Sequence, residues 1–199
     1  LKLRVVVVGI PGVGKTTVVG KLKSKLEGAK LVTFGTVMFE EAMKRKWVKD
    51  RDEMRTLPVG RQKKLQAVAA ARISKMTDQI VLVDTHLFIR TKEGFWPGLP
   101  FEVVRALNPT HLILVEAGPE EVWARRAADA ARSRDSVTKE DLEKEMELGR
   151  GFLAVSSTLT GAPMLIVRNA EGKADVTAEA LAVVIKEAAQ WTQQRAREK

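Results

Sequence analysis

The stretch GIPGVGKT, Gly9 to Thr16, lies between a run of valines and a second apolar run, and no other segment restricts the fold so tightly. Gly9, Gly14, Lys15 and Thr16 satisfy G-x-x-x-x-G-K-[ST], a pattern that has meaning only where a strand leads in and a helix leads out. Both conditions are met. The β-branched run within Leu3–Val8 predicts the strand, and the spacing from Lys15 to about Leu26 predicts the helix. Glycines at 9, 12 and 14 let the backbone curl so that several N–H groups converge, and the helix adds its positive end to an anion site. Ile10, Pro11 and Val13 fill the loop, and Thr17 extends it into the helix. In such a cradle Lys15 reaches the β and γ phosphates of a nucleoside triphosphate, and the Thr16 hydroxyl ligates magnesium. The plain alternative is a glycine turn with a solvated lysine. Spacing and context together favour the cradle.

Strand and helix signals alternate along the rest of the chain. Strands are expected at Leu31–Phe34, at IVLVD from Ile80 to Asp84, at His111–Glu116 after the Asn108-Pro109 turn, and at MLIVRN. Helical spacing runs through Leu65, Val68, Ala69, Ile73 and Met76, and through Leu181, Val184, Ile185, Ala188 and Trp191, while Pro119 suits the first turn of a helix. This succession predicts an α/β fold, a three-layer α/β/α arrangement around a parallel five-stranded sheet, in a single domain. Asp84, closing a strand of valine, leucine and isoleucine, is expected at the carboxyl edge beside the glycine loop, where it would hold magnesium through water. Its competing reading is a helix cap.

Composition sets bounds on partners. The chain is 45% hydrophobic and 30% charged, with no cysteine, so disulfides and cysteine-ligated zinc are excluded. No apolar run approaches the roughly 18 residues of a membrane span, and the first residues read as a strand and not as a signal peptide. A cytoplasmic protein is expected. The net charge of +9 asks for anionic partners. With only 5% aromatic residues and no tyrosine, small phosphorylated ligands fit better than nucleic acid.

A phosphate loop does not specify a reaction. There is no N-K-x-D for guanine and no D-x-x-G after the second strand, so a GTPase is not supported. The basic stretch between the second and third strands is where a small kinase could hold its acceptor. In KDRDEMR, a helix over Lys49–Arg55 would place Arg51 and Arg55 on one face for a phosphate, or leave a solvated charge cluster. Arg125, Arg126, Arg132 and Arg134 form a second cluster. They could surround a moving phosphoryl group, or pair with Glu140, Glu143 and Glu147 on a solvated face.

The segments GIPGVGKTT, FGTVMFE, KDRDEMR, VDTH, IRTKEGFWPGLP and ARSRD occur in the order seen in archaeal-type adenylate kinases, a family that nearly the whole chain resembles. The resemblance implies a P-loop nucleoside monophosphate kinase with ATP as donor, magnesium as cofactor and AMP as acceptor, giving two ADP. It also implies a homotrimer; composition, for its part, argues against a membrane and against nucleic acid as a partner. Carried over by motif, Gly9, Ile10, Pro11, Gly12, Val13, Gly14, Lys15, Thr16 and Thr17 hold ATP. Thr36 and Arg55 contact AMP; Asp84, Thr85 and His86 border the acceptor site; Arg90 and the turn Pro97–Pro100 shape the nucleotide pocket. Arg126, Arg132 and Arg134 are catalytic arginines of a short lid at about 125 to 138, and the acceptor subdomain covers about 35 to 77. Two departures stand out. Lys92 follows Thr91 where the family often has proline, and Phe95 and Trp96 precede the turn where it often has tyrosine. His86 could equally be structural, and His111, opening a strand, is read as structural. Two other readings stay open: a kinase of this fold acting on another acceptor, and a nucleotide-dependent module that binds RNA.

Overall fold

The computed structural model of the chain describes residues 2–91, 93–128 and 138–197. In chain order it runs β1 (Leu3–Val8), α1 (Lys15–Lys25), β2 (Lys30–Thr33), α2 (Phe34–Lys44), a 3-10 turn (Glu53–Thr56), α3 (Val59–Ser74) and β3 (Ile80–Asp84). Next come β4 (Phe88–Thr91), β5 (Gly94–Pro97), α4 (Phe101–Leu107), β6 (His111–Glu116), α5 (Pro119–Ala128), α6 (Lys139–Thr160), β7 (Met164–Arg168) and α7 (Ala174–Arg197).

Five strands pair in the order β2-β3-β1-β6-β7, all parallel. The central strands have no polar face because both of their faces are covered. Val5 to Val8 are fully buried, as are Leu82, Val83 and Val115, which is the pattern of a parallel sheet between two helical layers. Helices α1 and α7 pack on each other, while α3, α4 and α6 make a second set of helix contacts. At the amino edge, Arg4 ties the layers together: its guanidinium donates to the carbonyls of Leu107 and Ser74 at 2.8 and 2.9 Å.

Two smaller units sit at the carboxyl edge. Ala42, Val48, Leu57 and Leu65 form a satellite core between α2, the following loop and α3, with Trp47 packed against it. Burying a leucine or valine contributes roughly 1.5–3 kcal/mol, enough for this cluster to hold α2 against α3. The second unit is an antiparallel hairpin of β4 and β5, with Thr91 opposite Gly94 and Phe88 opposite Pro97. The parallel periodicity gives no sign of it, since the hairpin lies outside the main sheet.

The register places the end of every inner strand at one edge. Val7 is level with Asp84 in the β1–β3 pair, Asp84 with Thr33 in the β2–β3 pair, and Glu116 with Arg168 in the β6–β7 pair. The segments that leave these strands therefore gather around the loop after β1, the usual place for a ligand in such a sheet.

Candidate active site

The loop after β1 is held in its curled form by Gly12 and Gly14, which both take positive φ, 93° and 78°. Gly14 is also the N-cap of α1, and no side chain caps that end. The first N–H groups of an 11-residue helix are thus left for another partner. Thr16 and Thr17 are exposed in that first turn, whereas Gly9, Ile10 and Val13 are buried against the core.

Lys15 turns inward from the loop. Its side chain is 7% exposed, and its ammonium donates to Oδ1 of Asp84 at the end of β3. Burial lowers the ammonium from its ordinary 10.5 to about 8, and the touching carboxylate opposes that loss of charge. Lys15 is a cation at neutral pH. The strand supplies this geometry: Asp84 ends a fully buried run, and Thr85 N–H donates to the Val7 carbonyl at 3.1 Å, fixing the chain as it leaves the sheet. Thr85 is buried and His86 exposed.

Thr16 and Asp84 are the residues that fit magnesium. Magnesium is held by one or two carboxylates plus nucleotide phosphates and waters, without an all-protein cage. The donors fit that pattern: Thr16 offers a hydroxyl in the first turn of α1 and Asp84 a carboxylate at the end of β3.

On the acceptor side, Thr36 lies in the first turn of α2, and its hydroxyl accepts a hydrogen bond from Nη2 of Arg51. The helix over Lys49–Arg55 that would put Arg51 and Arg55 on one face does not form. Asp50 accepts from the N–H of Glu53 at 3.0 Å, and Glu53 accepts from the N–H of Lys49 at 2.6 Å. Those side chains start a new short turn at Glu53. Arg51 is left before that turn, where it reaches across to α2, and Arg55 lies within it.

Arg90 and Arg126 meet on a residue that no sequence motif marks. Glu145 of α6 is 4% exposed; its Oε2 accepts from Nη2 of Arg126 at 2.9 Å, and its Oε1 lies 3.7 Å from Nη1 of Arg90. Arg90 also lies 5.7 Å from the ring centre of Phe95. The alternative partners Glu140, Glu143 and Glu147 do not take the described arginines of that cluster: Arg126 pairs with Glu145, Arg125 with Glu171, and Glu140 holds Lys144. Arg125 donates from Nε and Nη2 to Glu171 at 2.9 and 2.5 Å. Arg132 and Arg134 lie outside the described residues. A signal for Glu145 exists in the sequence, since Leu142, Glu145, Gly149 and Leu153 share the buried stripe of α6. Asn169 also escapes motif reasoning, although it directly follows β7 just as Asp84 closes β3. It is buried, and its Nδ2 donates to the Val13 carbonyl at 2.8 Å.

An uncapped helix end behind a glycine loop and a buried lysine on a strand-end carboxylate define a P-loop nucleotide-binding fold, and its relatives are kinases. A family model described as an AAA domain matches residues 8–143. A shikimate kinase from Acinetobacter baumannii, solved with shikimate, shares the fold with a TM-score of 0.64 at 14% identity, over 94% of each chain. More similar in sequence is an adenylate kinase of Thermoplasma acidophilum, 43% identical over 92% of this chain and 98% of its own. One of Methanocaldococcus jannaschii is 41% identical over 92% of this chain and 97% of its own, and one of Pyrococcus horikoshii is 42% identical over 85% and 87%. The chain belongs to the adenylate kinase family.

Proposed function

We propose that the chain transfers the γ-phosphoryl of ATP to AMP, reversibly, giving two ADP. The observation that carries this reading is Lys15, buried on Asp84 at the mouth of an uncapped glycine loop, in a chain of the adenylate kinase family. Gly9 to Thr17 would hold the ATP phosphates through backbone N–H groups, with Lys15 at the β and γ oxygens. Thr16 and Asp84 would hold magnesium, which when bound neutralises charge between the β and γ phosphates. Asp84, which holds the Lys15 ammonium in this structure, would be the carboxylate that faces the metal.

The acceptor would bind over α2 and the loop to α3, with Thr36, Arg51 and Arg55 toward its phosphate and Thr85, His86 and Arg90 at its border. Arg126 and Arg90, brought together by Glu145, supply positive charge where the two phosphates meet. Arg132 and Arg134 are assigned to the moving phosphoryl by the family resemblance. Transfer is direct and in line: a phosphate oxygen of AMP attacks the γ phosphorus, the bond to the β–γ bridging oxygen breaks, and ADP leaves. No phosphoenzyme forms, and the attacking oxygen needs no general base. The residues orient both phosphates, offset charge and exclude water.

Residues 35–77 act as the acceptor unit and residues 125–138 as a lid over the donor. A homotrimer and a cytoplasmic site are proposed on the family resemblance, with the exposed Met164 and Ile166 of edge strand β7 as a surface that a second copy could cover. Sedimentation of the intact chain at micromolar concentration tests the trimer, and a monomer would remove it.

The test of the activity is coupled ADP formation from MgATP with AMP, CMP, UMP, GMP and dTMP as separate acceptors. Turnover on AMP alone is expected. Turnover on another monophosphate would keep the mechanism and overturn the base assignment; silence on all five would overturn the reaction.

A further inference from the structure

Three successive carbonyls of the glycine loop are each taken by a side chain from outside it. Pro11 O accepts from Nε of Arg126 at 2.8 Å, Gly12 O from Nη1 of Arg125 at 3.3 Å, and Val13 O from Nδ2 of Asn169 at 2.8 Å. The two arginines come from the last turn of α5, and Asn169 directly follows β7. Each donor is itself anchored. Arg126 rests on Glu145, Arg125 on Glu171, and the Asn169 backbone N–H donates to Glu116 O at 2.7 Å.

A trans peptide is planar, so a carbonyl and the N–H of the next residue point in opposite directions. Turning the carbonyls of residues 11, 12 and 13 toward these donors therefore turns the N–H groups of Gly12, Val13 and Gly14 to the other face. That face is where an anion would sit. Of these three groups, the Val13 N–H makes a long 3.5 Å contact with Ile10 O, too weak to compete with a phosphate oxygen.

Glycine at positions 12 and 14 permits this close approach. A Cβ at Gly14 would lie 2.5 Å from Nδ2 of Asn169, and one at Gly12 would lie 3.1 Å from Cγ of Arg126 and 2.9 Å from Val122. The phosphate-loop pattern leaves position 12 open to any residue, so its glycine has a local cause here. The second amide atom of Asn169 bears on its role as well. Its Oδ1 is buried without a hydrogen-bond partner, so the side chain acts at this site as a donor alone.

We propose that Arg125, Arg126 and Asn169 are positioning residues that fix the carbonyls of the loop outward and thereby preset its N–H groups for the donor phosphates. Such preset dipoles need no reorganisation when the ligand arrives. The inference rests on the reading of the loop as an ATP cradle, and it adds residues that no phosphate-loop pattern contains. Asn169 and Arg125 donate to the backbone of the loop, so their effect passes through the loop. It falls on ATP and ADP at the donor site and spares AMP.

The test is calorimetric titration of the full chain with MgATP and, separately, with AMP, alongside thermal midpoints, for wild type, Asn169→Ala, Asn169→Asp, Arg125→Met and Lys15→Met. Asn169→Ala and Arg125→Met are expected to bind MgATP about tenfold more weakly, the loss of one hydrogen bond's contribution, with AMP affinity within twofold of wild type. Asn169→Asp replaces the donor with an acceptor facing Val13 O and is expected to be weaker still. Arg125→Met keeps the apolar stem on the α5 surface and stands in if the Asn169 variants do not fold. If Lys15→Met weakens MgATP binding while Asn169→Ala and Arg125→Met do not, the positioning role is wrong and the cradle stands. Unchanged MgATP binding in Lys15→Met overturns the cradle itself. Equal losses for AMP and MgATP would make these residues general supports of the fold and overturn the proposal.

Discussion

Glu145 accepts a 2.9 Å hydrogen bond from Arg126 out of a position only 4% exposed, so a buried carboxylate of α6 fixes a guanidinium that α5 presents beside the phosphate loop. The other oxygen of the same carboxylate faces Arg90. Removing it leaves two guanidinium groups near each other without their shared anion. Glu145→Ala is expected to cost about 1.5–3 kcal/mol of stability, the range for hydrogen bonds to charged groups, and to lower kcat by about ten- to a hundredfold. Glu145→Gln, which keeps an acceptor at the same reach, is expected to recover part of kcat. Steady-state kinetics with a denaturant titration of both variants checks this, and equal kcat in Ala and Gln would show that the hydrogen bond does not position Arg126.

Gly98 is required by close approach. Its N–H donates to Leu87 O at 2.8 Å, and a Cβ on it would collide with the backbone carbonyl of His86. The opposing atom is main chain, so no rotamer change relieves the contact. Gly98→Ala is expected to destabilise by about 1–3 kcal/mol through overpacking and to displace the His86 backbone. A thermal midpoint equal to wild type would mean that the hairpin yields freely.

The sheet was legible because β1, β3 and β6 carry unbroken apolar runs, Val5–Val8, Ile80–Val83 and Leu112–Val115, the pattern of strands buried on both faces, and the glycine loop was legible because its spacing is fixed by phosphate geometry. The placement of Lys15 and Thr16 at the start of α1 and of Asp84 at the end of β3 followed from these two. The hairpin of β4 and β5 was not, since FIRT and GFWP are short and their pairing depends on Gly94 and on packing of Phe88 against Phe152. Glu145 and Asn169 were hidden for a different reason. Each is polar in a context where polar residues are usually solvated, and only the approach of α5 to α6, or of β7 to the loop, makes them internal. Arg51 was noticed for a helix that Asp50 and Glu53 prevent, yet it reaches Thr36 from a turn.

His111, at the amino edge, links stability to pH. Partial burial lowers its imidazole below the ordinary 6.5, with Thr110 Oγ1 at 3.2 Å from Nδ1 and Glu187 and Trp191 of α7 in the adjoining groove. The unfolded chain then binds more protons than the folded one as pH falls through 6.5. Stability supplied by the neutral ring is therefore full above 6.5 and is lost toward the lower folded value. The thermal midpoint of wild type is expected to fall between pH 7 and 5 by more than that of His111→Gln. Parallel curves would exclude the imidazole as the cause. The carboxylates held low by hydrogen bonds, Glu121 by the Gly118 N–H and Asp141 by Thr138, act below this window.

Thr36 and Arg51 offer a test of the acceptor side alone. The hydroxyl of Thr36 receives Nη2 of Arg51 and sits in the first turn of α2, remote in sequence from the ATP loop. Thr36→Val keeps the shape and removes the acceptor. Its KM for AMP is expected to rise about tenfold while KM for MgATP changes less than twofold. A rise in both constants would place Thr36 outside a separate acceptor subsite.

The contact of Lys15 with Asp84 sets stability against activity. Both side chains are nearly buried, at 7% and 11% exposure, and breaking a buried ion pair from one side costs about 3–5 kcal/mol because the remaining charge has lost its partner. Replacing both members by uncharged groups of similar size removes that penalty. Asp84→Asn should thus be less stable than wild type, with its lysine still charged at neutral pH or forced toward the neutral form. Lys15→Met should leave a buried carboxylate in the same difficulty. The double variant Lys15→Met, Asp84→Asn should regain most of the stability of wild type and remain inactive, since neither the phosphate contact proposed for Lys15 nor the metal contact proposed for Asp84 survives. Denaturant midpoints for the four proteins, set beside ADP formation at saturating MgATP and AMP, separate the two quantities. Additive losses in the double variant would show that the pair is not coupled in the folded protein, and measurable turnover in it would remove both residues from phosphoryl transfer.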